Sequence, residues 1–384
     1  MYFAEHQFLG DTVDISKDGK AGPSGASTTA TALTLENGLV VTYGEINGFA
    51  GDYFGLVEPI SSGDNIDKRK EMFQRWFDLL GHSPCGKSKA EAIREELKPI
   101  NHQVNDILRS VSSNPDELAA VYKNNPLNVW SLDAISKDPR WISGASFLQL
   151  AEANIDHFGL EARLTYDAGH ALALDWAAKG DISKALAING FADHFLEDSF
   201  AAGHMRVPRA GIAEVARKDT TGILHKAINL SSYVMHEEDG ELGLWVESPC
   251  GDKWKAYGDG RLNGIDTTDK ATSTNISQCR KALQQSVKEV YDAYTSKQVI
   301  GPSQFAAWQH APIMDKISLD KENHSPLVKI EGGKLFSRVY GPKTVMYEET
   351  SDYVSWISFY EKNHIRVEDQ LNLLGKKILD YFTK

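Results

Sequence analysis

Hydrophobic positions recur at helical spacing along most of the chain. Between residues 145 and 205, apolar side chains return every three or four residues and alanine is abundant, as close helix packing prefers. The segments 66–125 and 277–296 show the same period with more polar positions. Gly180 fits the end of one helix, and Asp181 can cap the next. The pattern predicts a mainly α, multi-helix fold.

Short stretches of alternating apolar and polar positions predict a few β-hairpins. Leucine and valine residues flank Asn37-Gly38, which favours a hairpin with a two-residue turn. Residues 329–336 suggest a second short hairpin around a Gly-Gly pair. Residues 207–275 contain many turn-forming residues, so we expect loop-rich, mixed structure there.

The chain of 384 residues is longer than the size at which one hydrophobic core usually stops growing. We expect a main domain over residues 1–300 with a helical insert at about 66–140, interpreted as a solvated insert or lid. Residues 301–384 would form an extension packed on this domain, ending in an amphipathic helix at about 361–383. Pro99 should break or kink a helix of the insert.

Composition limits the classes of partner. The net charge of −12 gives no general attraction for polyanions, so we expect no stable nucleic-acid complex. No apolar run reaches the roughly 18 residues that span a bilayer, so no transmembrane segment is expected. The amino terminus lacks the pattern of a secretory signal. We favour a protein that is secreted or exported without a recognisable signal peptide in this chain, with a cytoplasmic location as the alternative. Cys85, Cys250 and Cys279 permit one disulfide and require none.

One constellation of side chains carries metal chemistry. His194 and Asp198 are four residues apart and share a helix face, and Gly190 leaves space one turn earlier. His204 follows six residues after Asp198, beyond a helix end expected near Gly203. Two imidazoles and one carboxylate form a nitrogen–oxygen–nitrogen group that suits zinc.

Residues 194–204 resemble the signature of the zinc-dependent phospholipase C and single-strand nuclease superfamily, in which a histidine, an aspartate and a second histidine occur at this spacing. The segment around His157 resembles the Asp-His-Phe peptide that supplies an earlier zinc ligand. Asp52, between glycines and aromatics, and His6, near the amino terminus, resemble further ligands. The segment Thr42–Ile46 is similar to one in the longer bacterial and fungal phospholipases C. The resemblance implies a phospholipase C/nuclease-like helical domain.

The resemblance also implies a centre of two or three zinc ions. A third ion would use His6, Asp198 and the terminal amine, although the family usually begins with tryptophan where this chain has Met1. Asp52 is expected to act either as a ligand or as the catalytic general base, and the sequence leaves both open. The first ion would be held by four side chains, Asp52, His157, His194 and Asp198.

The remaining ion would be held by His204 and by a pair of side chains further along the chain. His236 and Asp239 are three residues apart and share a helix face. We favour them over His225 and Asn229, because an amide is a poor zinc ligand. His170, on an alanine- and leucine-rich face, is interpreted as a buried structural residue. Five other histidines are interpreted as surface residues: His82, His102, His310, His324 and His364.

The function implied is zinc-dependent phosphodiester hydrolysis. We favour a phospholipase C that cleaves phosphatidylcholine-type lipids to diacylglycerol and phosphocholine at a transiently contacted membrane surface. The alternative is a single-strand nuclease or 3′-nucleotidase on the same metal core. A cage of aromatics and carboxylates would indicate a choline head group, whereas stacked aromatics would indicate bases. A silent zinc-stabilised protein is disfavoured, because structural zinc sites are usually closed four-ligand sites.

Overall fold

The computed structural model describes residues 1–16, 31–110, 114–139, 144–218, 223–266, 268–339 and 346–350, and only the backbone of 223–227. The fold is mainly α, as the hydrophobic period predicts. In these ranges the α-helices are α1 (Phe3–Asp11), α2 (Tyr43–Phe49), α3 (Ile66–Gly81), α4 (Pro84–Arg109), α5 (Pro115–Asn124), α6 (Val129–Lys137), α7 (Phe147–Ala153), α8 (Gly159–Ala178), α9 (Ile182–Asp198), α10 (Ala202–Met205), α11 (Arg209–Arg217), α12 (Ile223–Leu242), α13 (Asn275–Ser296) and α14 (Met314–Ile317).

The strands form small antiparallel sheets. Gly332 and Gly333 have φ values of 56° and 73° and make the predicted tight turn of one hairpin. The hairpin around Asn37-Gly38 also forms, but Leu35 N donates to Leu39 O at 2.9 Å, so its loop has three residues rather than two. The paired strands are β1 (Ala32–Thr34) with β2 (Val40–Thr42), β3 (Leu244–Glu247) with β4 (Lys253–Ala256), and β5 (Val328–Glu331) with β6 (Lys334–Arg338), which also pairs with β7 (Tyr347–Glu349).

Helices α8 and α9 lie side by side at the centre of the fold, and α2, α3 and α13 pack around them. Phe73 of α3 contacts Phe191 and Phe195 of α9 edge-on, with ring centroids 5.5 and 6.3 Å apart. All three side chains are fully buried. The interpretation of the insert as a solvated lid is therefore wrong for α3, which forms part of the core that fixes α9.

Pro99 does not break the insert. Helix α4 runs through it for 26 residues. A proline inside a helix removes one backbone hydrogen bond and crowds the preceding turn. Leu97, Ile100 and Val104 bury one face of the helix on both sides of the proline. This packing explains why tertiary contacts prevail over the local preference.

The described part of the carboxy-terminal extension packs on the domain. Val328 and Leu335, from β5 and β6, join a second hydrophobic cluster with Ile212 of α11 and Met235 of α12. The amphipathic helix predicted at 361–383 lies outside the described residues. Among the helices of the described ranges, none combines the length and apolar character that crossing a bilayer requires.

Candidate metal centre

Helix α9 brings the first two predicted ligands to one buried face. It begins after Asp181, whose side chain accepts from Lys184 N at 3.0 Å, as the sequence predicts. His194 Nε2 lies 3.4 Å from Asp198 Oδ2, and both side chains are fully buried. The helix ends at Asp198 rather than near Gly203, and the separate short helix α10 then places His204 Nδ1 3.5 Å from Asp198 Oδ1.

His157 closes on the same face from a 3₁₀ turn. Its Nδ1 lies 2.8 Å from Asp198 Oδ2, and its Nε2 lies 3.9 Å from Asp52 Oδ1. Gly51 makes this approach possible, because its φ is +66° and a Cβ there would lie 2.6 Å from His157 Cε1. Asp52, His157 and His194 thus form one group whose ligand atoms lie within 4.8 Å of one another.

The amino terminus enters the site as well. His6 on α1 is fully buried, its ring stacks on that of His194 at 4.0 Å, and its Nε2 lies 3.5 Å from Asp198 Oδ1. The amine of Met1 lies 2.8 Å from the same Asp198 oxygen. His6, His194 and Asp198 form a second group of possible ligands, so Asp198 stands between two candidate ion positions.

A third group contains a carboxylate that the sequence analysis missed. Asp259 Oδ2 lies 3.3 Å from His236 Nε2, and Asp259 Oδ1 lies 3.4 Å from His204 Nε2. The residue sits between two glycines in a segment that has the composition of an ordinary turn. Gly258 packs so tightly on Gly240 of α12 that a Cβ on Gly258 would lie 2.4 Å from Gly240 Cα. This glycine contact is a long-range feature, which explains why sequence spacing could not reveal Asp259.

The predicted pairing of His236 with Asp239 is corrected by the structure. Asp239 accepts from Arg206 Nε and Nη2 at 2.9 and 2.7 Å, and from His324 Nε2 at 2.7 Å. Both of its oxygens are therefore engaged by Arg206 and His324, whereas His236 faces Asp259. The helical spacing makes the two residues neighbours, but the buried Arg206 binds Asp239, so the two side chains do not share one ion position.

Of the alternative ligand pair, the structure describes only the side chain of Asn229. Asn229 Oδ1 accepts from Arg209 Nη1 at 2.9 Å, and the side chain of His225 lies outside the described residues. His170 is buried as predicted, with its ring nitrogens 2.6 and 2.9 Å from Asn189 and Glu289.

The other histidines divide between surface and interior. The side chains of His82 and His102 are 70% and 80% exposed, as predicted. His324 is only 9% exposed because it is bound to Asp239, so its interpretation as a surface residue is wrong. His310 is intermediate, and His364 lies outside the described residues.

The carboxylates make the centre a place that favours cations. Burial alone would lower the pKa of the Met1 amine, but Asp198, Asp259 and Asp52 outweigh it and raise the pKa to about 12. Burial would likewise lower the pKa of His236, yet Asp259 and Glu237 raise it to about 10. Protons occupy positions here that a metal ion could take.

Other groups have pKa values that suit a neutral ligand or a general base. Burial lowers the pKa of His194 to about 3 and that of His6 well below its usual value, so both imidazoles are neutral near pH 7. Neutral imidazole is the form that ligates metals. Burial raises the pKa of Asp52 to about 6, and its side chain remains 34% exposed.

The insert forms one wall of the centre. The ring of Tyr122 on α5 lies 4.2 Å from that of Tyr2, and both rings approach Gly260, next to Asp259. Arg261 Nη1 donates to Asp116 Oδ1 at 2.7 Å, which ties the Asp259 loop to α5. The predicted insert thus contributes a side chain beside the candidate ligands.

Comparisons with known proteins returned no relative. No family model matches the chain, and neither a curated protein nor a solved structure matches it.

Proposed function

We propose that this protein is a zinc-dependent phosphodiester hydrolase. The observation that carries the proposal is the convergence of three groups of histidines and carboxylates around Asp198 and Asp259. Structural zinc needs one closed set of four ligands, whereas catalytic zinc keeps positions open for water and substrate. Three adjacent groups, each with few protein ligands, fit the second case better.

The donor set fits zinc in chemistry and in burial. His6 Nε2 is buried and has no hydrogen-bond partner among the residues that the structure describes. A buried polar atom without a partner costs free energy unless something binds it. Nitrogen and carboxylate-oxygen donors are those that zinc takes. When bound, zinc would supply an activated water at neutral pH and positive charge for the phosphate oxygens.

The chain's own residues divide the remaining work. One group would hold its ion with Asp52, His157 and His194, and Asp198 would serve this group and that of His6. Asp52 is the more exposed carboxylate, so it is the one that can meet water and hold a proton while substrate is bound. Which of these two roles Asp52 has, ligand or base, determines how its replacement affects zinc content.

For the substrate, we favour a choline phospholipid, which would make the enzyme a phospholipase C. The rings of Tyr2 and Tyr122 lie beside the centre, tilted by 33° to each other. Carboxylates lie around them, and burial and the charges of Asp259, Glu237 and Glu5 raise the pKa of Tyr2 well above its usual value. Aromatic faces and negative charge favour a quaternary ammonium group. The same charges, with the net charge of −12, disfavour a polynucleotide.

Product analysis tests this proposal. The zinc-loaded protein should release phosphocholine and diacylglycerol from phosphatidylcholine, and Tyr122→Ala should reduce this turnover more than turnover of an uncharged-head-group analogue. Tyr294→Ala, another partly buried tyrosine that packs against the core, is the matched control and should change neither. Release of free choline would contradict the reaction. Cleavage of single-stranded DNA alone would favour the nuclease alternative.

A further inference from the structure

Glu197, the residue directly before Asp198, faces a proposed ligand rather than solvent. Its side chain and that of His6 are fully buried, and Glu197 Oε2 lies 2.5 Å from His6 Nδ1. The other carboxylate oxygen accepts from Asn47 Nδ2 at 2.7 Å. Glu197 therefore connects Asn47 on α2, a helix without proposed ligands, to His6, which is a proposed ligand.

This contact favours one of the two nitrogens of His6 for binding an ion. An imidazole that donates its Nδ1–H to a carboxylate presents Nε2 as an unprotonated donor. His6 Nε2 points to the Asp198 side of the centre, 3.5 Å from Asp198 Oδ1, and has no hydrogen-bond partner among the described residues. The geometry thus directs the free nitrogen toward the candidate ion position.

Asn47 fixes two ligands from one position on α2. Its side chain holds Glu197, while its main-chain oxygen lies 2.8 Å from His194 Nδ1. His194 is thereby oriented through its Nδ1 as well, with Nε2 toward Asp198. The rings of His6 and His194 stack at 4.0 Å, so both imidazoles are set by the same short segment.

We propose that Glu197, anchored by Asn47, is a positioning residue that fixes His6 with Nε2 as its ligating nitrogen and so sets metal affinity at the His6–Asp198 position. The inference rests on the proposed metal-dependent function and assigns to it a residue outside the ligand set. Carboxylates that orient ligating histidines typically contribute 10- to 100-fold in metal affinity. A purely structural Glu197 would stabilise the fold without affecting metal content.

The test measures zinc rather than turnover. Glu197→Leu removes the acceptor at similar volume, and we expect it to hold one zinc ion fewer per chain than the wild type by elemental analysis. Glu197→Gln keeps a neutral acceptor, which bonds more weakly than a carboxylate. It should lose the same ion at a lower chelator concentration than the wild type, with a 10- to 100-fold weaker affinity. Because Gln preserves the shape, it decides the question if the leucine variant fails to fold.

Glu289→Gln is the matched control, because Glu289 also holds a buried histidine, His170, at 2.9 Å but lies in a separate network. It should keep the wild-type zinc content. In zinc-loaded protein, the low-field proton signal of His6 Nδ1, assigned by its absence in His6→Gln, should disappear in Glu197→Leu. Wild-type zinc content and affinity in both Glu197 variants would overturn this assignment alone, whereas a wild-type protein that binds no zinc would reject the proposed function.

Discussion

Asp239 and Asp259 are two aspartates near the same helix with opposite surroundings. Asp239 is fully buried and bound to Arg206, whose charge is permanent, and to His324. Asp259 is 15% exposed and faces His204, His236 and the Met1 amine, all of which can lose a proton.

The type of partner separates a candidate metal ligand from a structural carboxylate. A carboxylate paired with arginine is already neutralised by a group that cannot leave. A carboxylate that faces imidazoles and an amine is neutralised only by protons, which a metal ion can replace. The type of partner, rather than burial or spacing, marks Asp259 as the candidate ligand.

Metal removal should have the largest effect, because under the proposed function only the surroundings of Asp259 hold an ion, and those of Asp239 do not. The purified protein should carry two or three zinc ions, and a chelator should abolish phosphodiester hydrolysis while leaving the helical circular dichroism signal largely intact. Added zinc should restore the activity. Full turnover by metal-free protein would remove the basis of the comparison.

Paired substitutions of the two aspartates give the next largest effect. Asp259→Asn should lose zinc from the His204–His236 position and at least about 100-fold in rate, above the range for residues that only orient ligands. Asp239→Asn should keep the zinc but lower the free energy of unfolding by about 3–5 kcal/mol, because Arg206 stays buried without its charge partner. Zinc loss in Asp239→Asn with normal content in Asp259→Asn would reverse the assignment.

His194→Ala and Asp198→Asn extend this test to the centre. Each removes a side chain that belongs to a candidate ligand group, so each should cost at least about 100-fold in rate and reduce zinc content. Near-wild-type turnover in both variants would show that the chemistry lies elsewhere.

Gly51→Ala should disturb the candidate ligands His157 and His194 and leave the surroundings of Asp239 unchanged. The added Cβ would meet His157 Cε1 at 2.6 Å, and the positive φ would cost about 1 kcal/mol in addition. We expect weaker zinc binding and a rate loss of about 10-fold or more. Gly251→Ala is the control, since Gly251 also has a positive φ but no atom lies near its Cβ position. Equal behaviour of the two variants would contradict the role of the close contact.

Lys89 is a buried cation, and its effect on the free energy of unfolding should depend on pH. Its Nζ donates to Tyr53 O at 2.7 Å, and burial lowers its pKa from 10.5 to about 8. Below pH 8 both folded and unfolded states are protonated, and the buried charge costs about 3 kcal/mol. From pH 8 to 10.5 the unfolded state holds the extra proton, so stability gains this amount as pH rises. Denaturant unfolding should show the gain relative to Lys89→Met, and parallel pH curves would contradict it.

His324→Ala should give the smallest effect. It removes one hydrogen bond to Asp239, so we expect a loss of about 1–3 kcal/mol in the free energy of unfolding. The zinc content should not change, because Arg206 still neutralises Asp239. A stability equal to that of the wild type would restore the original interpretation of His324 as a surface residue.

Sequence alone predicted the features that depend on local spacing. The helix face shared by His194 and Asp198, the cap at Asp181 and the Gly332-Gly333 turn follow from one segment each. Asp259 and Tyr122 could not be predicted, because both reach the centre through loop packing between distant segments.

Two expectations from the sequence, for Asp239 and Pro99, were wrong because of long-range contacts. Asp239 satisfied the helical spacing, but Arg206, 33 residues earlier, captures it. Pro99 satisfied the rule for a helix break, but the buried face of α4 holds the helix together. In each case a long-range contact outweighs a local preference.

Anomalous diffraction at the zinc absorption edge, on crystals of the zinc-loaded protein, would locate the ions of the proposed centre. We predict peaks beside the group Asp52–His157–His194, between His6 and Asp198, and beside the group His204–His236–Asp259. We predict none beside Glu238–Asp239–His324, although that group also brings ligand atoms within 4.8 Å. Peaks confined to the Asp239 group, or no peak at Asp198 and Asp259, would contradict the proposed zinc centre.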